Sequence, residues 1–233
     1  MRYKCLVFDH DDTVVNSTAT IHHPCFVQFL REYYPGESIT LEDYFLLNFD
    51  PGFVPMCRER YGMTDEQLAF EARYWQDYVR SHVPQAYPGI REIMEAQKAA
   101  GGLVCAVSHS FDYNIRRDWK ANSLPAPDAV YGWERPMHQR KPHRFPLDDI
   151  LERFALEPHE VLVIDDLKPG YDMAAAVGVD FAAAGWAYDI PAIERFMREN
   201  TPHYCKHVAD LADYLEIGGG GEKNTCQTEN TVI

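Results

Sequence analysis

The sequence has no long apolar run and too few basic residues for several classes of protein. Its 233 residues include 36 acidic side chains against 22 lysines and arginines, a formal charge of −14. Such an excess repels polyphosphate backbones and anionic lipids, so we expect neither nucleic acid nor a membrane as a partner. The apolar run before Asp9 is too short for a signal peptide, and no later run approaches a membrane span. We therefore expect a cytoplasmic protein.

Cysteine pairs and a glycine-rich nucleotide motif are also missing. The six cysteines contain no C-x-x-C pair and no dense framework, which indicates reduced thiols. No G-x-G-x-x-G opens a helix after the first apolar run, which argues against a dinucleotide-binding dehydrogenase. With 46% hydrophobic and 25% charged residues, the composition suits a globular protein with one core domain and room for an inserted subdomain.

Three short apolar runs indicate the strands of a parallel sheet. They are KCLVFD (4–9), GLVCAVS (102–108) and EVLVID (160–165), and none alternates between apolar and polar residues. Strands that are covered on both faces have this pattern and are normally parallel. Helical patterns lie between the runs, at 88–102 and at 146–156, where Leu147, Ile150, Leu151 and Phe154 form one stripe. The pattern predicts an α/β fold, a Rossmann-like parallel sheet flanked by helices.

Residues 17–85 contain no convincing strand and are predicted to be a helical insertion of about four helices. Thr64 and Gln67 form a capping box, Thr40 and Asp43 a weaker one, and Pro51-Gly52 interrupts the pattern between them. The predicted division is a core of residues 1–16 and 86–217, the insertion at 17–85, and a glycine-rich, then polar, flexible tail at 218–233.

Two aspartates directly follow the first predicted strand. Asp9 and Asp11 are two residues apart, so in an extended chain their side chains point the same way. Carboxylates this close repel each other unless a cation or a shared proton offsets the charge. Mg²⁺ takes oxygen ligands and commonly bridges carboxylates to a phosphate. Asp165 and Asp166 follow another predicted strand, so the two strand ends predict one Mg²⁺ site. The alternative is a polar turn, since aspartate favours turns.

A serine and a lysine complete a candidate site for phosphoryl transfer. Ser108 ends the second predicted strand, and Lys141 precedes a proline shortly before the helix predicted at 146–156. A hydroxyl, an ammonium group, carboxylates and a metal together are what in-line phosphoryl transfer requires. Taken singly, Ser108 would be an ordinary strand end and Lys141 a solvated side chain.

Four motifs in this order resemble those of the haloacid dehalogenase-like hydrolase superfamily, over the chain up to about residue 215. They are D-x-D-x-T, a Ser or Thr that closes a strand, a Lys before Pro, and paired acids after a strand. The matching residues are Asp9, Asp11, Thr13, Ser108, Lys141 with Pro142, and Asp165 with Asp166. Within the superfamily the chain resembles the C1-capped phosphatases, phosphoglycolate phosphatase among them. Residues 165–180 (DDLKPGYDMAAAVGVD) also resemble the β-phosphoglucomutase-like branch.

The resemblance implies a role for each matching residue. Asp9 would be the nucleophile that becomes an aspartyl-phosphate, and Asp11 the general acid and then the base. The implied contacts to the substrate's phosphoryl group and its surroundings are Thr13, Ser108, His109 and Lys141. The implied ligands of the cofactor Mg²⁺ are Asp9, Asp11 through its main-chain carbonyl, Asp166 and Asp165. Residues 17–85 would be a helical cap that closes over the site, excludes water and selects the substrate.

Several positions depart from the family pattern or lie outside it. Asp12 stands where glycine is usual, His10 where leucine is frequent, and His109 where asparagine is frequent. The adjacent His22 and His23 point apart on a helix and lack the spacing of a metal site, so we interpret them as cap residues without a ligand role. The break between predicted helices at 48–53 lies where C1 caps place a substrate-specificity loop. Arginines on the helices of the insertion could contact an anionic substrate, although most helix arginines are solvated. The arginines considered as contacts for an anionic substrate are Arg58, Arg60, Arg73 and Arg80.

Asp11 favours a phosphatase or a phosphomutase, because related dehalogenases and phosphonatases generally lack an acid there. The predicted function is magnesium-dependent hydrolysis of a small phosphorylated metabolite. A β-phosphoglucomutase-like transferase and a noncatalytic interaction protein on the same scaffold remain alternatives. Phosphoglycolate, sugar phosphates, nucleotides and pyrophosphate all stay open as substrates, and the chain is expected to be a monomer or a homodimer.

Overall fold

A six-stranded parallel sheet forms the centre of the computed structural model, which describes residues 2–217. The strands, in chain order, are β1 Cys5–Phe8, β2 Val15–Asn16, β3 Gln85–Ala86, β4 Leu103–Val107, β5 Ala129–Tyr131, β6 Val161–Asp165, β7 Asp180–Ala184 and β8 His203–Cys205. The sheet order is β5-β4-β1-β6-β7-β8, with every pair parallel. The predicted α/β class and parallel sheet are therefore confirmed. The tail predicted at 218–233 lies outside the described residues.

The helices cover both faces of this sheet. They are α1 His23–Tyr33, α2 Leu41–Phe49, α3 Phe53–Tyr61, α4 Asp65–Arg80, α5 Ile90–Ala99, α6 Asp112–Ala121, α7 Phe145–Phe154, α8 Lys168–Val177, α9 Pro191–Asn200 and α10 Val208–Tyr214. Within residues 2–217, no helix has the length and apolarity that crossing a bilayer requires.

The central strand β1 shows why the apolar runs do not alternate. Leu6 and Phe8 pack on one face of the sheet in a cluster that contains Trp119. Val7 packs on the opposite face with Ile150. Both faces of β1 are therefore buried in apolar clusters, so each position along the strand requires an apolar side chain.

Helices α1–α4 form the insertion that the sequence predicts between the first and second long strands. The Thr64 hydroxyl accepts from the main-chain N–H of Gln67, whose side chain accepts from the N–H of Thr64, so the predicted capping box begins α4. The chain enters and leaves the insertion through β2 and β3, which pair as a two-stranded antiparallel ribbon. A π-helical turn, Thr18–His22, joins β2 to α1.

The insertion contacts the rest of the molecule at two separate places. On one side, the rings of Phe45 in α2 and Tyr188 lie 4.3 Å apart, and those of Phe49 and Phe196 lie 5.2 Å apart. On the other side, α4 contacts α6 and the loop that precedes it, where Trp75 stacks on Phe111. Between these contacts lie the ends of the central strands, where the polar residues predicted for the site are found.

Candidate active site

Three neighbouring strands bring the predicted site residues to one edge of the sheet. Asp9 directly follows β1, Ser108 directly follows β4, and Asp165 is the last residue of β6. Since β4, β1 and β6 are adjacent and parallel, their carboxyl ends lie side by side. All three side chains are buried, so the polar groups lie beneath the surface rather than on a solvated turn.

Three carboxylates and one lysine form the centre of this site. Oxygen atoms of Asp9, Asp165 and Asp166 lie within 4.8 Å of one another. Lys141 Nζ donates to Asp9 Oδ1 and to Asp165 Oδ2, at 2.7 Å each. Lys141 lies in the loop between β5 and α7 and is only 3% exposed. The structure therefore brings Lys141 to the same point as the two acidic strand ends, from a distant part of the sequence.

The charges at this centre do not balance. Burial alone would lower the pKa of Lys141, but the charges of Asp165 and Asp9 outweigh burial and raise it, so the side chain is an ammonium. Burial raises the pKa of Asp165 to about 7, and burial together with the charge of Asp9 raises the pKa of Asp166 well above its usual range. Three acids surround one ammonium group, and a divalent cation would offset the excess of negative charge that their ionised forms bring. The oxygen-only donor set also fits the preference of Mg²⁺.

Hydrogen bonds from neighbouring residues hold Asp166 in place. Thr13 Oγ1 donates to Asp166 Oδ1 at 3.1 Å, and the Tyr188 hydroxyl donates to Oδ2 at 3.1 Å and lies 2.8 Å from the main-chain oxygen. Thr13, predicted as a substrate contact, therefore contacts an acid of the cluster. Tyr188 was not predicted, because nothing in the spacing of the motifs places residues after β7 near Asp166.

A glycine in α8 allows the close approach of Asp165. A Cβ atom on Gly170 would lie 2.1 Å from Asp165 Oδ2, far inside van der Waals contact. The first turn of α8 therefore packs directly on the carboxylate that accepts from Lys141. This close contact gives a physical reason for the glycine five residues after the first acid in the pair.

The side chain of Asp11 is bound apart from the acid cluster. Its Oδ1 accepts from Ser17 Oγ at 2.7 Å and contacts His22 Nε2 at 2.9 Å, and its Oδ2 accepts from Ser110 Oγ at 2.6 Å. Burial alone would raise the pKa of Asp11, but the neighbouring histidines and hydroxyl donors hold it well below its usual range. Asp11 is therefore a carboxylate here, with a low affinity for a proton while these donors are in place. Its side chain lies outside the group of possible metal ligands, so a ligand role rests on the main-chain carbonyl.

The unusual residues around Asp11 each have a local explanation. Asp12 has a φ of 59°, in the left-handed region that glycine adopts most easily, and its carboxylate accepts from the N–H of Thr18 at 3.2 Å. His10 is buried, with Nε2 3.2 Å from Asp118 and with Nδ1 accepting from Trp119 Nε1 at 3.2 Å. These polar partners replace the apolar contacts that a leucine would make.

His109 and Ser108 adjoin Lys141 at the end of β4. His109 Nε2 lies 2.9 Å from the carbonyl oxygen of Lys141. Burial and the Lys141 charge lower the pKa of His109 to about 4, so the ring is neutral and donates this bond. Ser108 Oγ accepts from the N–H of Ser110 at 3.1 Å. His109 thus holds the backbone of the lysine loop, and its role as a substrate contact remains a prediction.

Sequence reasoning missed the residues that surround Asp11. His22 was interpreted as a cap residue without a ligand role, because only its suitability as a metal ligand was considered. Ser17, Ser110 and Trp75 belong to no motif. Ser17 and Trp75 reach Asp11 and His22 through the folding of the insertion, and Ser110 reaches Asp11 from the end of β4, beside β1. The polar residues that flank the first motif were the one available signal.

The insertion brings no arginine or lysine into the buried part of the site. Residues 17–85 contain five arginines and no lysine, and all five arginines are exposed. Three of the four arginines predicted as possible contacts for an anion pair with acids instead, Arg58 with Asp65, Arg60 with Asp43 and Arg80 with Asp77. Asp172, near the acid pair in sequence, pairs with Lys168 on α8.

A Rossmann-like α/β fold with a helical insertion and a buried cluster of acids at the strand ends defines the class of this protein. A family model described as haloacid dehalogenase-like hydrolase matches residues 6–184, so the chain belongs to that family. The resemblance predicted from the four motifs is confirmed.

Two curated relatives match part of this sequence. A phosphoglycolate phosphatase of Mannheimia succiniciproducens is 26% identical over 162 residues, which are 66% of this chain and 68% of the relative. A phosphoglycolate phosphatase of Nitrosospira multiformis is 28% identical over 106 residues, 45% of this chain and 46% of the relative. The match to the second relative thus spans about half of either protein.

Solved structures share the fold over nearly the whole chain. A haloacid dehalogenase-like family protein from Streptococcus pneumoniae has a TM-score of 0.71 at 16% identity, covering 92% of this chain and 99% of that one. CbbY from Rhodobacter sphaeroides, in complex with xylulose-(1,5)bisphosphate, has a TM-score of 0.68 at 15% identity, covering 90% and 96%. At these identities the likeness shows the fold alone.

Proposed function

We propose that the chain is a magnesium-dependent phosphatase that hydrolyses a small phosphomonoester through an aspartyl-phosphate on Asp9. The observation that carries this proposal is the buried pair of Asp9 with Lys141, beside two further acids at neighbouring strand ends. The chain belongs to a family of hydrolases, and both curated relatives are named phosphoglycolate phosphatase. Both findings support the hydrolysis of a phosphate ester.

Each residue of the site has a separate role in the proposed reaction. Asp9 attacks the phosphorus atom while the leaving alcohol takes a proton from Asp11, and water then attacks the aspartyl-phosphate while Asp11 accepts the water's proton. Ser108 and Lys141 hold the transferring phosphoryl oxygens. The carboxylate form that the lowered pKa of Asp11 favours is the form required for the second step. For the first step Asp11 must carry a proton, which requires that at least one of its three donors moves away.

Mg²⁺ would be held by Asp9, Asp166 and Asp165, with the main-chain carbonyl of Asp11. When bound, the ion offsets the negative charge that the acids and the phosphoryl oxygens bring together. The ammonium group of Lys141 supplies the other positive charge around those oxygens. Residues 17–85 act as the cap in this proposal, since they contact the core on both sides of the strand ends.

The test replaces the nucleophile with its uncharged isostere. The Asp9→Asn variant is expected to release no phosphate from an aryl phosphate above the uncatalysed rate, while the wild-type chain does so only with Mg²⁺. Unchanged turnover by Asp9→Asn would overturn the proposal. A hexose 1-phosphate as a second substrate separates the rival transferase, because an isomerised sugar phosphate without free phosphate would identify a mutase.

A further inference from the structure

His22 occupies a position in which its two ring nitrogens make different hydrogen bonds. Its Nε2 lies 2.9 Å from Asp11 Oδ1, and its Nδ1 lies 2.9 Å from the indole nitrogen of Trp75. The indole N–H is a donor and has no acceptor capacity. His22 Nδ1 must therefore accept this bond, so it carries no proton and the ring's hydrogen sits on Nε2, where it is donated to Asp11.

A second proton on His22 would oppose this arrangement. Burial lowers the pKa of His22, but the charge of the Asp11 carboxylate outweighs burial and raises it above its usual value. An imidazolium would, however, point its Nδ1–H at the indole N–H of Trp75, and two donors 2.9 Å apart repel each other. The Trp75 contact therefore selects the neutral form of His22 with the hydrogen on Nε2.

Trp75 is itself placed by contacts between the insertion and the core. Its ring stacks on Phe111, with 5.8 Å between ring centroids. One turn further along α4, Arg117 of α6 donates to the carbonyl oxygen of Val79 at 2.9 Å and to that of His82 at 3.2 Å. The orientation of Trp75 toward His22 thus depends on how α4 rests against α6.

We propose that Trp75 and His22 are positioning residues, in which Trp75 fixes the tautomer of His22 and His22 orients the Asp11 carboxylate. This inference rests on the proposed function for the acid–base role of Asp11. It connects the placement of α4 on the core with the orientation of the proton-transfer group. When α4 lies against α6, His22 presents a hydrogen to Asp11. Without the indole, the imidazole is free to take the other tautomer, in which Nε2 is an acceptor and repels the carboxylate.

The tautomer is tested directly by nitrogen NMR on the full chain labelled with ¹⁵N-histidine, because protonated and unprotonated ring nitrogens differ widely in chemical shift. The His22 signals are assigned by their loss in His22→Gln. We expect a neutral ring with the hydrogen on Nε2, and a mixture of tautomers or an imidazolium in Trp75→Phe, which keeps a ring against Phe111 but has no N–H. An imidazolium or an Nδ1–H form in the wild type would overturn the inference.

The consequence for catalysis is tested with three variants. His22→Gln keeps a donor toward Asp11 and an acceptor toward Trp75, so it is expected to retain activity within about threefold. His22→Leu is expected to lower kcat roughly 10-fold to 100-fold, the effect of losing a hydrogen bond to a charged group, with little change in KM. Trp75→Phe is expected to lower kcat roughly 3-fold to 10-fold. The exposed His159→Leu is the matched control and should match the wild type.

Each outcome separates this inference from the proposed function. If His22→Gln is as slow as His22→Leu, or if Trp75→Phe equals the wild type, the positioning role is wrong while the phosphatase stands. If the wild-type chain releases no phosphate, the proposed function fails. The NMR result still decides the tautomer in that case, because it needs no turnover.

Discussion

Lys141 is the residue on which the charge balance of the site depends. Its ammonium group is buried between two carboxylates, and each distance of 2.7 Å is that of a strong charge-assisted hydrogen bond. Removing one member of a buried ion pair leaves the partner uncompensated, which costs more than the pair contributes. Lys141 therefore affects folding as well as the proposed chemistry.

The Lys141→Met variant is expected to lose phosphate release and to lower the free energy of unfolding by about 3–5 kcal/mol in metal-free buffer at neutral pH. The methionine keeps the apolar stem, so the loss reports the missing charge. Urea unfolding measures it, with the exposed Lys120→Met as control, for which a change within about 0.5 kcal/mol is expected. Equal stability of the two variants would contradict this account of the site.

Motif order was sufficient to predict which acids and which lysine come together, because parallel strands that end in polar residues share one edge of the sheet. The partners of Asp11 were beyond the same reasoning. Ser17 is six residues from Asp11, in the turn that leads into the insertion. Ser110 is 99 residues away and reaches Asp11 because it follows β4, the strand beside β1. Hydrogen bonds between single side chains have no periodicity that a sequence pattern can show.

Among the strands, length and composition decided which ones could be predicted from the sequence. The three strands predicted from apolar runs are β1, β4 and β6, which have four or five residues and lie together in the sheet. Strands β5 and β8 have only three residues each, and β7 (DFAAA) has no β-branched residue, so neither length nor composition marked them. The helix starts at Thr40 and Thr64 were predicted because their caps use local side chains.

Glu71 on α4 is buried without a hydrogen-bond partner among the described residues. It is 5% exposed, and its charge interacts with that of His22. It also raises the pKa values of three neighbouring side chains, Cys25, Tyr44 and Cys57. Burial raises the pKa of Glu71 from 4.5 to about 7. A raised carboxyl pKa means that the folded chain binds the proton more tightly, so this position destabilises the fold as the pH rises from 4.5 to 7.

The Glu71→Gln variant is expected to be more stable than the wild type at pH 8, by up to about 3 kcal/mol, and to gain little at pH 5. The gain appears as the pH rises because only the ionised carboxylate pays the burial cost. Urea unfolding at the two pH values measures it, with the exposed Glu66→Gln on the same helix as control. A gain that is the same at both values would show that charge is not the cause.

The insertion as an element also bears on the substrate. It contains no lysine and its arginines are all exposed, so neither residue type offers a buried positive charge to a leaving group. A leaving group that carries a carboxylate would meet the acids at the strand ends without an arginine or lysine of the insertion as a partner. We expect kcat/KM for an uncharged polyol phosphate to exceed that for phosphoglycolate by about tenfold or more, the value of one missing charged hydrogen bond. A steady-state comparison of the two substrates measures this ratio, and a preference for phosphoglycolate would contradict it.

At the scale of the whole molecule, the formal charge of −14 makes cations the favoured partners. The excess is greatest in the acid cluster, where burial prevents solvent from screening it. Any ion that binds the folded chain alone stabilises it, by about 2.7 kcal/mol at a concentration a hundred times its Kd.

Millimolar MgCl₂ is therefore expected to raise the Tm of the metal-free chain by roughly 5–10 °C. KCl at equal ionic strength controls for general screening of the net charge and should give a smaller rise. The Asp166→Asn variant should respond to both salts alike, because its cluster has lost one carboxylate. Calorimetry that gave the wild type the same Tm in both salts would count against a magnesium site among these acids.

Because Gly170 contacts Asp165, the backbone of α8 fixes the position of that acid. The methyl group of an alanine at 170 would lie 2.1 Å from Asp165 Oδ2 unless one of them moved. The substitution would therefore displace Asp165 from Lys141 without altering any ionisable group. Such a protein would retain every reactive side chain and lose their alignment. It would thereby separate what the carboxylates contribute as charges from what they contribute as a fixed arrangement.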